Sequence, residues 1–239
     1  IGFDGIVIAN SIESSQMNLT LRDLFLALAK EVPMENGNTK PNDYETWDQI
    51  NPDLPKIKIE VLGPPPTSGT RDAFVELAME GGCKSFDWVK ALKGTDKPAY
   101  KSLCHTVRED GAYVEAGEND NLIVQKIESN ANAVGVFGYS YLEENIDRVN
   151  GLTMNGVEPT YENISSFAYP GARPLFVYVK NDHVDAIAGL REFLATWAES
   201  WGVGGPLAKI GLVASPEDVM ARNNAAVTEF PALTTADFE

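Results

Sequence analysis

The sequence predicts an α/β protein built around at least one mainly parallel sheet, on three observations. Short apolar runs of strand type recur, at Gly5 to Ala9, Val134 to Tyr139 and Leu175 to Val179. Stretches with helical spacing separate them, and no internal repeat or low-complexity tract breaks the alternation.

Taken in order, GIVIA reads as a buried strand. Thr20 then opens a helix in which Leu21, Leu24, Phe25 and Leu28 share a face, and Asp23 completes a capping box with Thr20. Residues 33–55 are rich in Asn, Asp and Pro and predict a long surface excursion, pinned to the core by Trp47 and Ile50. Ile57, Ile59 and Val61 alternate with charged residues, as in a half-buried strand. The corner GPPPTSGTR follows, and then Ala73, Phe74, Leu77 and Ala78 mark a helix that Gly81 and Gly82 are expected to end. Residues 84–120 are mixed and polar; Leu122, Ile123 and Ile127 predict a helix starting near Asn119. Ile187, Leu190, Arg191, Leu194 and Trp197 predict a long amphipathic helix, with Trp197 and Trp201 in the core of the last third.

The chain has 239 residues, 44% of them hydrophobic and 23% charged, as in an ordinary globular protein, and carries a net charge of −16. Such a field excludes non-specific binding to nucleic acid or to an anionic membrane surface. Cys83 and Cys104 are compatible with a disulfide or with two free thiols. With no CxxC pair and only His105 and His183, no metal site is expected.

The corner carries the chemistry. In an open α/β sheet, ligands sit beyond the carboxyl ends of strands, where helices begin and first-turn N–H groups lack partners. Within TSGTR, Gly69 permits close approach to the backbone, Ser68 and Thr70 offer hydroxyls, and Arg71 supplies a charged planar fork. All of these are donors, so the matching guest is a small tetrahedral anion. Ser and Thr before a helix are also ordinary N-caps, and the corner alone permits either reading. The glycines and lysine of a Walker loop are absent, as is the GxSxG elbow of a hydrolase. Both histidines read as surface residues, and Glu143 and Glu144 as solvated ones.

The order DGIVIAN, MNLTLRDLF, the Trp of YETWDQI, SGTRDAF, NAVGVFGYSYL and YPGARPLFVYVKN resembles the phosphate-binding subunits of bacterial phosphate ABC importers, over nearly the whole chain. The resemblance implies a type II periplasmic-binding-protein fold: two α/β lobes joined by hinge strands, one oxyanion between them, and no chemistry done on it. Residues 1–9 would be a crossing strand and remnant of lobe 1. Residues 10–170 would be lobe 2, and 171–239 a return strand and the C-terminal part of lobe 1. The lobe 2 phosphate contacts would be Thr67, Ser68, Gly69, Thr70 and Arg71, with Asn119 as a further candidate. The ligand would be inorganic phosphate, with no cofactor. The partner would be the membrane permease of the importer, and the protein a periplasmic monomer that is not an enzyme. The alternatives are an enzyme acting on a phosphate ester and a binder of another oxyanion such as sulfate.

Family members carry a first-lobe segment ahead of DGI, with a Ser/Thr-rich phosphate loop and a carboxylate that accepts the phosphate proton. The expectation is therefore an incomplete first lobe here and about 80–100 further residues in the physiological protein. Asp72, Asp4 and Glu115 are the candidate substitutes for that carboxylate.

Overall fold

A long central strand organises the molecule, whose computed structural model describes residues 1–235. In order, the chain forms β1 (Gly2–Ser11), β2 (Asn18–Leu19), α1 (Leu21–Leu28), β3 (Glu31–Pro33), β4 (Thr39–Pro41), α2 (Trp47–Ile50), β5 (Val61–Gly63) and α3 (Gly69–Phe74). A π-helical turn, Val75–Met79, leads into α4 (Glu80–Cys83), α5 (Asp87–Thr95), α6 (Lys97–His105), β6 (Tyr113–Glu115), α7 (Asp120–Ser129), β7 (Val134–Gly138) and α8 (Tyr139–Glu144). Then come β8 (Val149–Gly151), β9 (Thr153–Met154), α9 (Tyr161–Ser165), β10 (Ala172–Leu175), α10 (Asn181–Val184), α11 (Leu190–Ala198) and α12 (Glu217–Glu229).

β1 is apolar throughout, and Ile6, Val7, Ile8 and Ala9 are all buried because the strand is covered on both faces. Its neighbours correct the expectation of a mainly parallel sheet. The order is β10-β1-β7-β5-β6, with β8 also on β1. Only β7, β5 and β6 run parallel; β1 is antiparallel to β10, β7 and β8. Strands followed by helices, β5, β6 and β7, share one direction because each helix returns the chain to the same edge.

α1 forms as its sequence dictates. Asp23 N–H donates to Thr20 Oγ1 at 3.0 Å and Thr20 N–H to Asp23 Oδ2 at 2.9 Å, while Leu24, Phe25 and Leu28 are buried. Trp47 is buried and anchors the excursion as expected, with Ile50 packed partly against the core and a small β3–β4 hairpin at the excursion's start.

Five further features differ from the reading of the sequence. Regular pairing begins at Val61 rather than Ile57, because only from there do β6 and β7 offer partners. Gly81 and Gly82 lie within the helical run and do not end it. A Cβ on Gly82 would stand 2.0 Å from the Leu21 carbonyl oxygen, so the glycine admits α1 instead. The polar stretch 84–120 holds two helices, α5 and α6, whose buried side are single residues such as Val89, Tyr100 and Leu103. At the far end, pairing stops at Leu175, and Phe176, Val177 and Tyr178 are exposed with no strand beside them among the described residues. Gly189, at φ +82°, breaks the expected long helix, so α11 starts at Leu190 and Ile187 is exposed. Trp201 is buried, its indole donating to Asn224 Oδ1, and Trp197 packs beside it at a tilt, half-buried.

Cys83 and Cys104 form a disulfide, Cα–Cα 5.5 Å, that ties α4 to α6. Beside it, Glu80 binds Lys84 at 2.5 Å, Lys93 at 3.0 Å and His105 Nε2 at 2.8 Å. Burial works against the Glu80 charge, yet hydrogen bonds from Lys84, His105 and Lys93 hold its carboxyl well below the usual carboxylate range. His105 is thus a partly buried member of an ion-pair knot rather than a free surface residue.

The close approach at Gly82 makes a prediction. Gly82→Ala should lower stability by about 1–3 kcal/mol despite alanine's better helix propensity, because the clash is with backbone. Gly94→Ala in α5, where a Cβ meets nothing within 4 Å, should be neutral or stabilise by up to about 1 kcal/mol. Urea denaturation of both variants checks the contrast.

Candidate functional site

The parallel strands β5 and β6 end side by side at Gly63 and Glu115, and each is followed by a helix. Their loops therefore meet at one edge of the sheet, where Thr67 Oγ1 donates to Glu118 Oε1 at 2.6 Å. That contact brings the TSGTR corner against the start of α7.

Ser68 is the N-cap of α3, its Oγ accepting from Thr70 N–H at 3.2 Å. Asp72 N–H closes the first turn onto the Ser68 carbonyl. Among the described residues, the N–H groups of Gly69 and Arg71 have no partner. Gly69 is exposed, and a Cβ there would meet nothing within 4 Å, so this part of the backbone is open to a ligand. Asn119 caps α7 by accepting from Asn121 N–H at 3.0 Å, which leaves its NH2 group outside the cap.

Arg71 has a rigid seat. Its guanidinium lies over the Tyr113 ring, 4.1 Å from the centroid, and the Tyr113 hydroxyl donates to the Pro64 carbonyl at 2.8 Å. A Cβ on Gly63 would stand 2.2 Å from that hydroxyl, so the glycine opening the proline run makes room for the tyrosine. Burial pushes the Tyr113 phenol up, which keeps it neutral, while the positive charge of Arg71 pulls the other way. Arg71 Nη1 is buried and has no hydrogen-bond partner among the described residues. An unsatisfied charged donor is costly inside a protein, and an oxyanion is the ligand that would satisfy it.

Ser68, Gly69, Thr70, Arg71, Thr67 and Asn119 thus fall at one edge of the sheet, though the Thr67 hydroxyl is already given to Glu118. Tyr113 and Glu118 escaped the sequence reading. The only local hint of Tyr113 was a glycine at the end of a strand, a mark of close approach.

The three carboxylates considered as proton acceptors are placed differently. Asp72 is exposed in the first turn of α3, and Glu115 is exposed at the end of β6. Asp4 on β1 is paired with Arg173 on β10, at 2.9 and 3.1 Å. A fourth, Asp120, opens α7, is buried, and accepts from Gly138 N–H at 3.1 Å. Burial pushes the Asp120 carboxyl above its ordinary range; the Gly138 N–H pulls it down and the Asp4 carboxylate adds to the rise.

A family model described as a PBP superfamily domain matches residues 1–198. Among curated proteins, the chain is 30% identical over 187 residues to the phosphate-binding protein PstS of Staphylococcus haemolyticus, covering 76% of this chain and 48% of the relative. It is 26% identical over 208 residues to protein SphX of Synechococcus elongatus, covering 84% of this chain and 51% of the relative. The chain thus spans about half the length of the curated relatives it matches. Among solved structures, a possible phosphate binding protein from Planctomyces limnophilus aligns with TM-score 0.65 and 20% identity, covering 96% of this chain and 70% of the other. PstS from Borrelia burgdorferi aligns with TM-score 0.56 and 19% identity, covering 90% and 70%. At such identities the structural likeness concerns the fold.

Proposed function

The chain belongs to the PBP superfamily, and from that premise we propose that it holds inorganic phosphate as the receptor of an ABC importer, handing the anion unchanged to a membrane permease. The observation that carries this reading is Arg71, stacked on Tyr113 with a buried, unpartnered Nη1 at the start of a helix. The names of the curated relatives point the same way.

In this reading the phosphate sits against α3. It accepts from the free N–H groups of Gly69 and Arg71, the hydroxyl of Thr70 and the guanidinium of Arg71, with the Asn119 amide beside them. The helix dipole adds about half a positive charge at the same end. Together these local donors offset a net charge of −16, whose field is screened beyond about 8 Å at physiological salt. Residues 10–170 form the lobe that carries the corner, β1 and β10 are the strands that cross to the other lobe, and 171–239 belong to that other lobe. The exposed side chains Phe176, Tyr178, Phe193 and Ile210, all within 171–239, support this division. No helix among the described residues is long and apolar enough to cross a membrane. The protein acts as a periplasmic monomer and not as an enzyme.

Calorimetric titration of the anion-stripped protein tests the reading. Phosphate should bind at micromolar affinity or tighter, at least about 8 kcal/mol, and sulfate far more weakly. Equal binding of the two anions would reassign the site to oxyanions in general, and no phosphate binding would overturn the reading.

A further inference from the structure

We propose that Asp120 is a positioning residue linking the anion corner to the crossing strands, and that it takes up a proton when phosphate enters the corner. This rests on the phosphate reading above.

Gly138, the last residue of β7, has no side chain, and two carboxylates from different elements face it. A Cβ there would stand 3.7 Å from Asp120 Oδ2 and 3.9 Å from Asp4 Oδ1. Asp120 also accepts the Gly138 N–H, which fixes the start of α7 to the end of β7. Asp4 is held in place by the Arg173 guanidinium, so the second carboxylate is part of the β1–β10 pair. From α8, the Tyr141 ring also comes near, 3.9 Å from the same Cβ position. Asp4 is the charged group that acts on Asp120, and Arg173 stands behind it as Asp4's partner.

From Asp120 the path to the corner is short. Asn119 is its neighbour, and Glu118 receives the Thr67 hydroxyl. Asp120 thus faces the fixed Asp4 and directly follows the Asn119 cap, so an anion held by the corner would add a second negative charge near it. Arg173 neutralises Asp4, and Arg71 meets the anion. Asp120 has only a backbone N–H, and it is buried, so a second nearby negative charge favours its protonated form. Binding and protonation are then linked: phosphate affinity falls as pH rises through the titration of Asp120. The stability contributed by this group runs the same way, being present at low pH and lost as pH rises through its folded value, because burial raises that value.

Asp120→Asn keeps an acceptor oxygen for Gly138 and removes the titration. The expected results are a titration midpoint of Asp120, followed by carboxyl-carbon NMR, that shifts down in Asp4→Asn and shifts up on saturation with phosphate. Phosphate titrations in buffers of different ionisation enthalpy should show wild type taking up more protons per anion than Asp120→Asn. The variant should bind phosphate more tightly at alkaline pH, with a flatter pH profile. Equal proton counts in the two proteins, with phosphate bound by both, would overturn the proposal. So would an Asp120 midpoint indifferent to Asp4→Asn, a result read without ligand. Absence of phosphate binding by wild type would instead remove the phosphate reading itself.

Discussion

Arg71→Ala is expected to weaken phosphate binding by roughly 30-fold to several thousand-fold, the 2–5 kcal/mol lost when one member of a buried, hydrogen-bonded charge pair is removed. The range is wide because the variant keeps the helix start and the Gly69 backbone but loses the formal positive charge that Arg71 supplies. The diagnostic feature is the contrast with stability. Nη1 has no hydrogen-bond partner among the described residues, so truncation removes a buried, unsatisfied donor rather than a bond, and thermal stability should stay within about 1 kcal/mol of wild type. Arg71→Lys should recover only part of the affinity, since an ammonium can neither stack flat on Tyr113 nor present two parallel N–H groups. Titration calorimetry with phosphate, paired with thermal melts, decides the matter. An affinity loss matched by an equal loss of stability would mean that Arg71 is structural.

The second large effect concerns stability. Replacing both Cys83 and Cys104 by alanine should cost roughly 3 kcal/mol, from the loop entropy restored to the unfolded chain. For a chain of this size that corresponds to a fall of about 6–12 °C in Tm. The Glu80 knot with Lys84, Lys93 and His105 spans the same helices, and this sets a limit on the damage: α4 and α6 stay in contact after the disulfide is gone. A Tm within 2 °C of wild type would show that the knot alone suffices. The reduced wild-type protein should match the double variant, because both sulfurs are buried and neither has another role in the fold.

Local chemistry was legible in the chain. The Thr20–Asp23 box, the Ser68 cap and the Asn119 cap each connect residues two or three positions apart, and the sequence shows them directly. The same holds for the apolar runs of β1 and β7. What escaped notice is non-local. Thr67 and Glu118 are 51 positions apart, and nothing near either announces the other. Tyr113 lies in a stretch that reads only as mixed and polar, and its role becomes visible once Gly63 and Arg71 are placed around it. LFVYV has every mark of a strand but lacks a neighbour past Leu175, and pairing rather than propensity decides. Gly81 and Gly82 carry the signature of a helix stop, yet α1 packs on them and the helix continues. The helices of 84–120 were hidden because few of their residues face the core, so their apolar period is faint.

The π-helical turn Val75–Met79 sits between the two ends of one continuous helical run, with Arg71 on one side and Cys83 on the other. Each residue of a helix turns the chain by about 100°. The wide turn therefore sets the rotational phase between Arg71 and the cystine. Removing a single residue there would leave a perfectly good α-helix with one of its two ends facing the wrong way. In this stretch, residue count is under tighter constraint than residue type: substitutions on its exposed side are tolerable, whereas a one-codon deletion is not.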